Sequence, residues 1–217
     1  MILGIDHIAF NSSMLDDDIR RFEKEGYTIT FREDSVPNNP AKKHLLRRYD
    51  PLHSLCLMKS DKGRLAIEIT RHNDRIFQDA ASMKWGEDIL KIHVRDEQLE
   101  QAFWNTALGF VPKEPGRSAF MGPFSQWRCD VQFEHASVAA PDMLDDAGYT
   151  CLALISSNLE KDIENAEKSG AYDVCIPFQT VVNNRSLTIG LFRTPGGVLI
   201  ELIMVGKKLG NETRKNY

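Results

Sequence analysis

The sequence contains an internal repeat that constrains its fold more than any other feature. Residues 7–26 read HIAFNSSMLDDDIRRFEKEG, and residues 151–170 read CLALISSNLEKDIENAEKSG, with nine of twenty aligned positions identical and no gap. A repeat of this length indicates a duplicated structural unit. Because binding sites form preferentially where such units meet, ionisable residues at matched positions are the first candidates for chemistry.

Both copies predict the element order β-α-β-β-β. The first copy opens with a strand from Ile5 to Phe10, continues with a helix that Ser12 or Ser13 can cap, and ends that helix at Gly26. Strand-like runs follow at 27–32, 54–59 and 65–70. The second copy predicts a strand at 150–155, a helix at 159–169 and strands near 174–181, 186–192 and 198–205.

A shorter unit between the two copies shows the same order. It has a strand at 89–95, a helix at 98–108 that stops at Gly109, and a final strand at 131–134. The predicted organisation is module 1 at 1–72, a connecting helix within 73–88, module 2 at 89–140, module 3 at 148–206 and a frayed tail at 207–217. The predicted fold class is α+β, with repeated βαβββ modules forming curved mixed sheets around a cleft and helices outside.

Composition narrows the function classes. A net charge of -4 gives no electrostatic basis for binding nucleic acid or an anionic membrane. No apolar run approaches the roughly 20 residues that span a bilayer, and the N-terminal residues do not form a signal peptide. The four cysteines form no CxxC pair and lie in apolar segments, which favours free thiols. We therefore expect a cytoplasmic protein.

The last strands of both copies carry a glutamate among apolar residues. Glu68 lies in GRLAIEI and Glu201 in the aligned GGVLIEL, while Glu134 lies in the corresponding strand of module 2. Carboxylates are seldom buried without a partner, so matched glutamates in such strands are candidates for a site.

Three segments resemble the vicinal oxygen chelate superfamily, which includes glyoxalase I, methylmalonyl-CoA epimerase, extradiol dioxygenases and bleomycin-resistance proteins. They are DHIAF at 6–10, WNTALGF at 104–110 and FRTPGGVLIEL at 192–202, of which the last is the most specific. The resemblance implies βαβββ modules that pair around a cleft. It also implies that metal ligands come from strand 1 and strand 4 of each paired module.

Carried over by position, the strand-1 ligand positions are His7, Ile89 and Cys151, and the strand-4 positions are Glu68, Glu134 and Glu201. The resemblance to glyoxalase-type sites implies a second histidine among the ligands. Pairing modules 1 and 3 places the Cys151 thiol at that position instead. Pairing modules 1 and 2 leaves the site one ligand short. A resemblance to extradiol dioxygenases would imply a site of two histidines and one carboxylate. No pairing of modules supplies the second histidine at its expected position, so ring-cleaving chemistry is disfavoured.

The resemblance thus implies that His7, Glu68 and Glu201 bind a divalent ion (Mn, Fe, Ni or Zn). Glu68 and Glu201 would also be the catalytic carboxylates of a metal-dependent lyase, isomerase or epimerase acting on a small oxygenated substrate. The alternative is a metal-free protein of the bleomycin-resistance type that sequesters a small molecule. An odd number of modules leaves one sheet unpaired, which predicts a homodimer.

Module 1 is longer than module 3 by an insertion. His7 and Glu68 are 61 residues apart, whereas Cys151 and Glu201 are 50 apart. The extra residues fall within 33–51 and include Lys42, Lys43, Arg47 and Arg48. They are interpreted either as a solvated surface loop or as a mobile flap whose basic groups meet an anionic substrate.

Overall fold

The computed structural model describes residues 1–75, 77–86, 88–121, 129–137 and 141–208. Module 1 has the predicted order, with an added 3₁₀ helix inside the insertion. Its elements are β1 (Ile2–Asn11), α1 (Leu15–Lys24), β2 (Tyr27–Pro37), the 3₁₀ helix (Pro40–Leu45), β3 (Leu52–Ser60) and β4 (Ala66–Arg71). Gly26 follows α1 with φ of 91°, a left-handed conformation that glycine adopts at least cost.

Module 3 repeats module 1 in structure. Its elements are β10 (Gly148–Ser156), α3 (Leu159–Lys168), β11 (Phe178–Val182), β12 (Arg185–Arg193) and β13 (Leu199–Lys208). Two identities in the repeat form the same contact in each copy. The Ser12 hydroxyl donates to Asp18 at 2.5 Å and the Ser156 hydroxyl donates to Asp162 at 2.6 Å, which fixes the helix against the preceding strand.

Modules 1 and 3 join into one eight-stranded sheet. Its order is β11-β12-β13-β10-β1-β4-β3-β2, and the two modules meet where β1 pairs with β10 in antiparallel fashion. Side chains alternate along β1, so Ile8 lies in the same apolar core as Phe22 of α1 on one face while His7 lines the cleft on the other. The curved sheet therefore carries its helices on one face and a cleft on the opposite face, and the predicted fold class is confirmed.

Module 2 forms a separate five-stranded sheet of order β5-β6-β9-β8-β7. Its elements are β5 (Met83–Gly86), β6 (Ile89–Val94), α2 (Glu97–Ala107), β7 (Val111–Glu114), β8 (Arg117–Phe120) and β9 (Cys129–His135). The predicted βαβββ order is thus present, with β5 as an extra edge strand. The end of the predicted module, at 138–140, and residues 209–217 of the predicted tail lie outside the described residues.

The predicted connecting helix at 74–83 is wrong for the residues described there. The backbone N–H of Ala80 donates to the carbonyl of Ala147 at 2.7 Å, and the N–H groups of Ala81 and Ser82 donate to the Asp142 carboxylate. These donors would have to bind carbonyls four residues earlier in a helix. A carboxylate from distant sequence takes them instead, so the segment is extended and leads into β5.

Glu100 of α2 fastens module 2 to the last hairpin of module 3. Its fully buried carboxylate accepts from the Trp104 indole N–H at 2.8 Å and from the Gly196 backbone N–H at 2.7 Å. A Cβ atom at Gly196 would lie 2.7 Å from Glu100 Oε2 and 2.5 Å from Val94 Cγ1, so only glycine fits there. Core residues of all three modules belong to one continuous apolar cluster.

The free face of the five-stranded sheet is charged. Lys91 and His93 lie 3.1 and 3.3 Å from the Glu134 carboxylate, and Lys113 lies 2.9 Å from Asp130. The homodimer was expected because an unpaired module would expose an apolar face. That reason is not met in the part of the chain that the structure describes, and the dimer stays a prediction.

The four cysteines are buried and unpaired, as predicted. Among the described residues, no helix is both long enough and apolar enough to cross a membrane.

Candidate functional site

A cleft of about 440 Å³ lies on the concave face of the eight-stranded sheet. Its walls are aliphatic side chains from β1, β3, β10, β12 and β13, and its cover comes from the insertion of module 1. Its polar lining includes three carboxylates and several cationic groups: Asp6, Glu68, Glu201, His7, Lys42, Lys59, Arg64 and Arg185. All three sequence-predicted site residues, His7, Glu68 and Glu201, therefore line one cleft.

The register of the sheet places the carried-over positions in two equivalent rows of side chains. One row is Glu201, Ala153, His7 and the other is Glu68, Ala9, Cys151. In each row a glutamate of one module lies beside an alanine of the same module and then a strand-1 residue of the other. His7 thus shares its row with Glu201, and Cys151 shares its row with Glu68, as a two-fold relation between modules requires.

His7 is held by its sequence neighbour. The strand pairing shifts between Ile5 and His7, and this irregularity lets Asp6 line the cleft as well. Asp6 Oδ2 lies 2.8 Å from His7 Nδ1, whereas Nε2 is buried with no hydrogen-bond partner and lies 3.7 Å from Glu68 Oε2. Burial lowers the pKa of His7, but Glu68 and Asp6 outweigh it and raise that pKa to about 10.

Glu201 has the opposite balance. Burial in the cleft, followed by the nearby Glu68 carboxylate, raises its pKa to about 7, although His7 and Lys42 oppose that rise. Such a carboxyl group exchanges a proton near neutral pH, which is the property required of a general base or acid.

Folding raises the pKa of both His7 and Glu201, so the contribution of each of these two groups to stability should fall as pH rises. The contribution of Glu201 is complete below its ordinary pKa of 4.5 and is lost as pH rises to about 7; that of His7 is complete below 6.5 and is lost towards about 10. Glu201→Gln removes the first contribution. Between pH 5 and pH 8 this variant should lose less stability than the parent, by on the order of 1 kcal/mol, in urea unfolding.

The matched control is Glu160→Gln, at an exposed position of α3. It should follow the parent at both pH values. Equal losses for the parent and Glu201→Gln would contradict the raised pKa of Glu201.

Cys151 lies under the insertion. Its thiol packs with Ala9 of β1 and with Leu45 and Leu46, which follow one another at the end of the 3₁₀ helix. Burial, then the Glu201 and Glu68 carboxylates, raises the pKa of this thiol well above its usual range. Cys151 is therefore a protonated thiol that packs as a small apolar side chain beneath the insertion.

The insertion of module 1 covers the cleft and is held there by hydrogen bonds to buried carboxylates. It is therefore neither a solvated surface loop nor a mobile flap. The fully buried Asp145 carboxylate accepts from the backbone N–H groups of Arg47 at 2.8 Å and Arg48 at 3.0 Å. The equally buried Asp146 accepts from the Arg47 guanidinium at 2.5 and 3.0 Å. The Arg47 guanidinium is thus occupied, and the Arg48 guanidinium lies 3.4 Å from the Asp50 carboxylate. Lys42 lines the cleft instead.

Module 2 shows a corrected register. Glu68 pairs with Ala9 and Glu201 with Ala153, but Glu134 pairs with His93. The residue two positions before His93 is Lys91, so Lys91 and not Ile89 occupies the position equivalent to His7. Its ammonium group forms an ion pair with Glu134, which places Glu134 in a surface pair outside the cleft.

The fit of a metal ion can be tested on these side chains. An imidazole whose Nδ1 is held by a carboxylate and whose Nε2 is unpartnered suits a metal ligand. However, the described residues include no group of three or more His, Cys, Asp or Glu side chains arranged to hold an ion. As placed, the residues do not form a metal centre, because a third ligand would have to move in.

The paired modules around a cleft agree with the arrangement that the resemblance to the vicinal oxygen chelate superfamily implies. Solved structures with a similar fold include glyoxalase I from Zea mays, at 12% identity over 94% of this chain and 68% of that chain, with a TM-score of 0.38. An integron cassette protein from the mobile metagenome of V. cholerae is 23% identical over 56% of this chain and 97% of that chain, with a TM-score of 0.38. A glyoxalase/bleomycin resistance/dioxygenase family enzyme from Burkholderia phytofirmans PsJN is 12% identical over 55% and 98%, with a TM-score of 0.41.

No profile of a known protein family matches the sequence. No curated protein matches it either. The assignment of the fold therefore rests on the element order and strand pairing, and the chemistry rests on the cleft itself.

Proposed function

We propose that the protein is a glyoxalase-like lyase, isomerase or epimerase that moves a proton on a small oxygenated molecule bound in the cleft. The observation that carries this proposal is Glu201, a carboxyl group with a pKa of about 7 in a row with His7. A binding site needs no proton acceptor poised near neutral pH, whereas proton transfer beside a carbonyl does.

In the proposed step, the Glu201 carboxylate takes a proton from the carbon next to a substrate carbonyl. The electron pair of that C–H bond moves to the carbonyl oxygen and gives an enolate. His7, kept cationic by Glu68 and Asp6, donates from its unpartnered Nε2 to this oxygen. Return of the proton to the other face or to the neighbouring carbon completes an epimerisation or isomerisation.

The lining of the cleft indicates the class of substrate. Cationic side chains outnumber carboxylates in this lining, and they include Lys59, Arg64 and Arg185. The remaining wall is aliphatic. We therefore propose a small molecule that combines an anionic oxygen group with a short apolar body.

The test is deuterium incorporation into a panel of 2-oxo acids and hydroxyketones in D₂O, followed by NMR. Glu201→Gln should lower the exchange rate of any active compound by about 10²-fold or more, because a general base contributes about that much. Glu160→Gln is the control and should leave the rate unchanged. Compounds that bind in the cleft without exchange in the parent would favour the sequestering protein instead.

A metal-dependent form of the same activity is the second candidate, and the unpartnered Nε2 of His7 favours it. This form would require a third ligand to move in beside His7 and Glu68, and Glu201 is the residue that the resemblance implies for that role. Elemental analysis of protein purified without chelator tests this form. One ion per chain, lost in Glu201→Gln, would support it, and protein that cannot be loaded with Mn, Fe, Ni or Zn would exclude it.

A further inference from the structure

Lys42 is the one of the four basic residues named in the insertion that lines the cleft. It lies in the 3₁₀ helix Pro40–Leu45, half-buried, and lines the same cleft as His7, Glu68 and Glu201. The insertion that carries it is present in module 1 and has no counterpart in module 3. The cleft therefore departs from two-fold symmetry at a cationic side chain.

The position of Lys42 is fixed by contacts on both sides of it. The Asn39 side chain caps the helix by accepting from the Ala41 N–H at 3.0 Å, and the Cys175 thiol donates to the Ala41 carbonyl at 3.3 Å. Leu45 is fully buried, and its carbonyl accepts from the Leu144 N–H at 2.9 Å. The backbone that carries the Lys42 side chain is therefore held in place at the cleft.

The ammonium group of Lys42 makes no hydrogen bond and no ion pair within the described part of the chain. Its charge nevertheless acts on the carboxylates of the site: burial lowers the pKa of Lys42, and Glu201, then Glu68, oppose that change. A cation held in a cleft with free donors is equipped to bind an oxyanion.

We propose that Lys42 supplies the cation that a metal ion would otherwise provide, and that its ammonium group binds a carboxylate or enolate oxygen of the substrate. This inference rests on the proposed function and deepens it, because it names the anionic oxygen that the site recognises. It also agrees with the position of Cys151 in the row of Glu68 and Ala9, where the buried thiol lies beneath the 3₁₀ helix that carries Lys42.

The experiment uses the full chain, with lactate and pyruvate as small carboxylate probes, and measures binding by NMR titration. Lys42→Met should weaken binding by about 10-fold or more, because it removes a charge-assisted hydrogen bond. Lys42→Arg, which keeps the charge, should bind more tightly than Lys42→Met. Lys43→Met is the matched control; the Lys43 ammonium group lies over the Tyr49 ring, 4.9 Å from its centroid, and this variant should bind like the parent.

The same proteins are titrated with Mn, Ni and Zn. The parent should bind none of them stoichiometrically. The inference is overturned if the parent binds one ion per chain, or if Lys42→Met binds the carboxylate probes as tightly as the parent. Carboxylate binding that depends on Lys42, without any proton exchange, would support the inference while the proposed function fails. Turnover that requires a bound ion would overturn the inference about Lys42 and would support the proposed function in its metal-dependent form.

Discussion

Replacing Glu100 by alanine should destabilise the protein by about 3 kcal/mol or more. The substitution leaves the N–H groups of Trp104 and Gly196 buried without an acceptor, and it opens a cavity between α2 and the last hairpin. Urea unfolding measures the loss. Glu100→Gln preserves the volume but can accept from only one of the two N–H groups, so it should lose stability to a smaller extent than Glu100→Ala.

Gln98→Ala, two residues away on the exposed side of α2, is the control and should change stability by less than about 0.5 kcal/mol. A Glu100→Ala variant as stable as this control would mean that the carboxylate does not connect module 2 to module 3.

Replacing Asp145 by alanine should cost about 2–4 kcal/mol and loosen the cover of the cleft. Its carboxylate is fully buried and accepts from two consecutive backbone N–H groups, which would lose their partner. Hydrogen exchange should therefore accelerate at Arg47 and Arg48, and binding of carboxylate probes should weaken because Lys42 lies on the same segment.

Asp50→Ala provides the comparison. Asp50 forms a partly exposed pair with Arg48 at 3.4 Å, and such pairs contribute about 1 kcal/mol or less. If the amides of Arg47 and Arg48 exchange at the same rates in Asp145→Ala as in Asp50→Ala, the carboxylate of Asp145 does not hold the cover.

The repeat was sufficient to predict the module order, because each copy keeps the local signals of a strand, a helix and a glycine stop. The resemblance to the vicinal oxygen chelate superfamily implied that His7, Glu68 and Glu201 share a site, and the structure places all three in the lining of one cleft. The helix expected at 74–83 failed for a tertiary reason. Its N–H donors are taken by the Asp142 carboxylate, about 60 residues away in sequence.

The prediction that Ile89 is the strand-1 ligand position of module 2 was wrong for a related reason. Strand alternation restricts a side chain to one face, but it does not fix which residue lies opposite a partner. The pairing of His93 with Glu134 decides that Lys91 takes the position equivalent to His7. The basic residues of the insertion were visible in the sequence, yet nothing local separates Lys42 from Arg47 and Arg48.

The sequence by itself determined the duplicated βαβββ order, the faces of β1 and the matched carboxylates, because these follow from short-range periodicity and repetition. Only the tertiary structure decided that modules 1 and 3 pair, that Cys151 is sealed and that Lys42 enters the cleft. Those outcomes depend on strand register and on buried carboxylates that bind backbone N–H groups far away in the chain. Such long-range hydrogen bonds leave no periodic signal in the residues that form them.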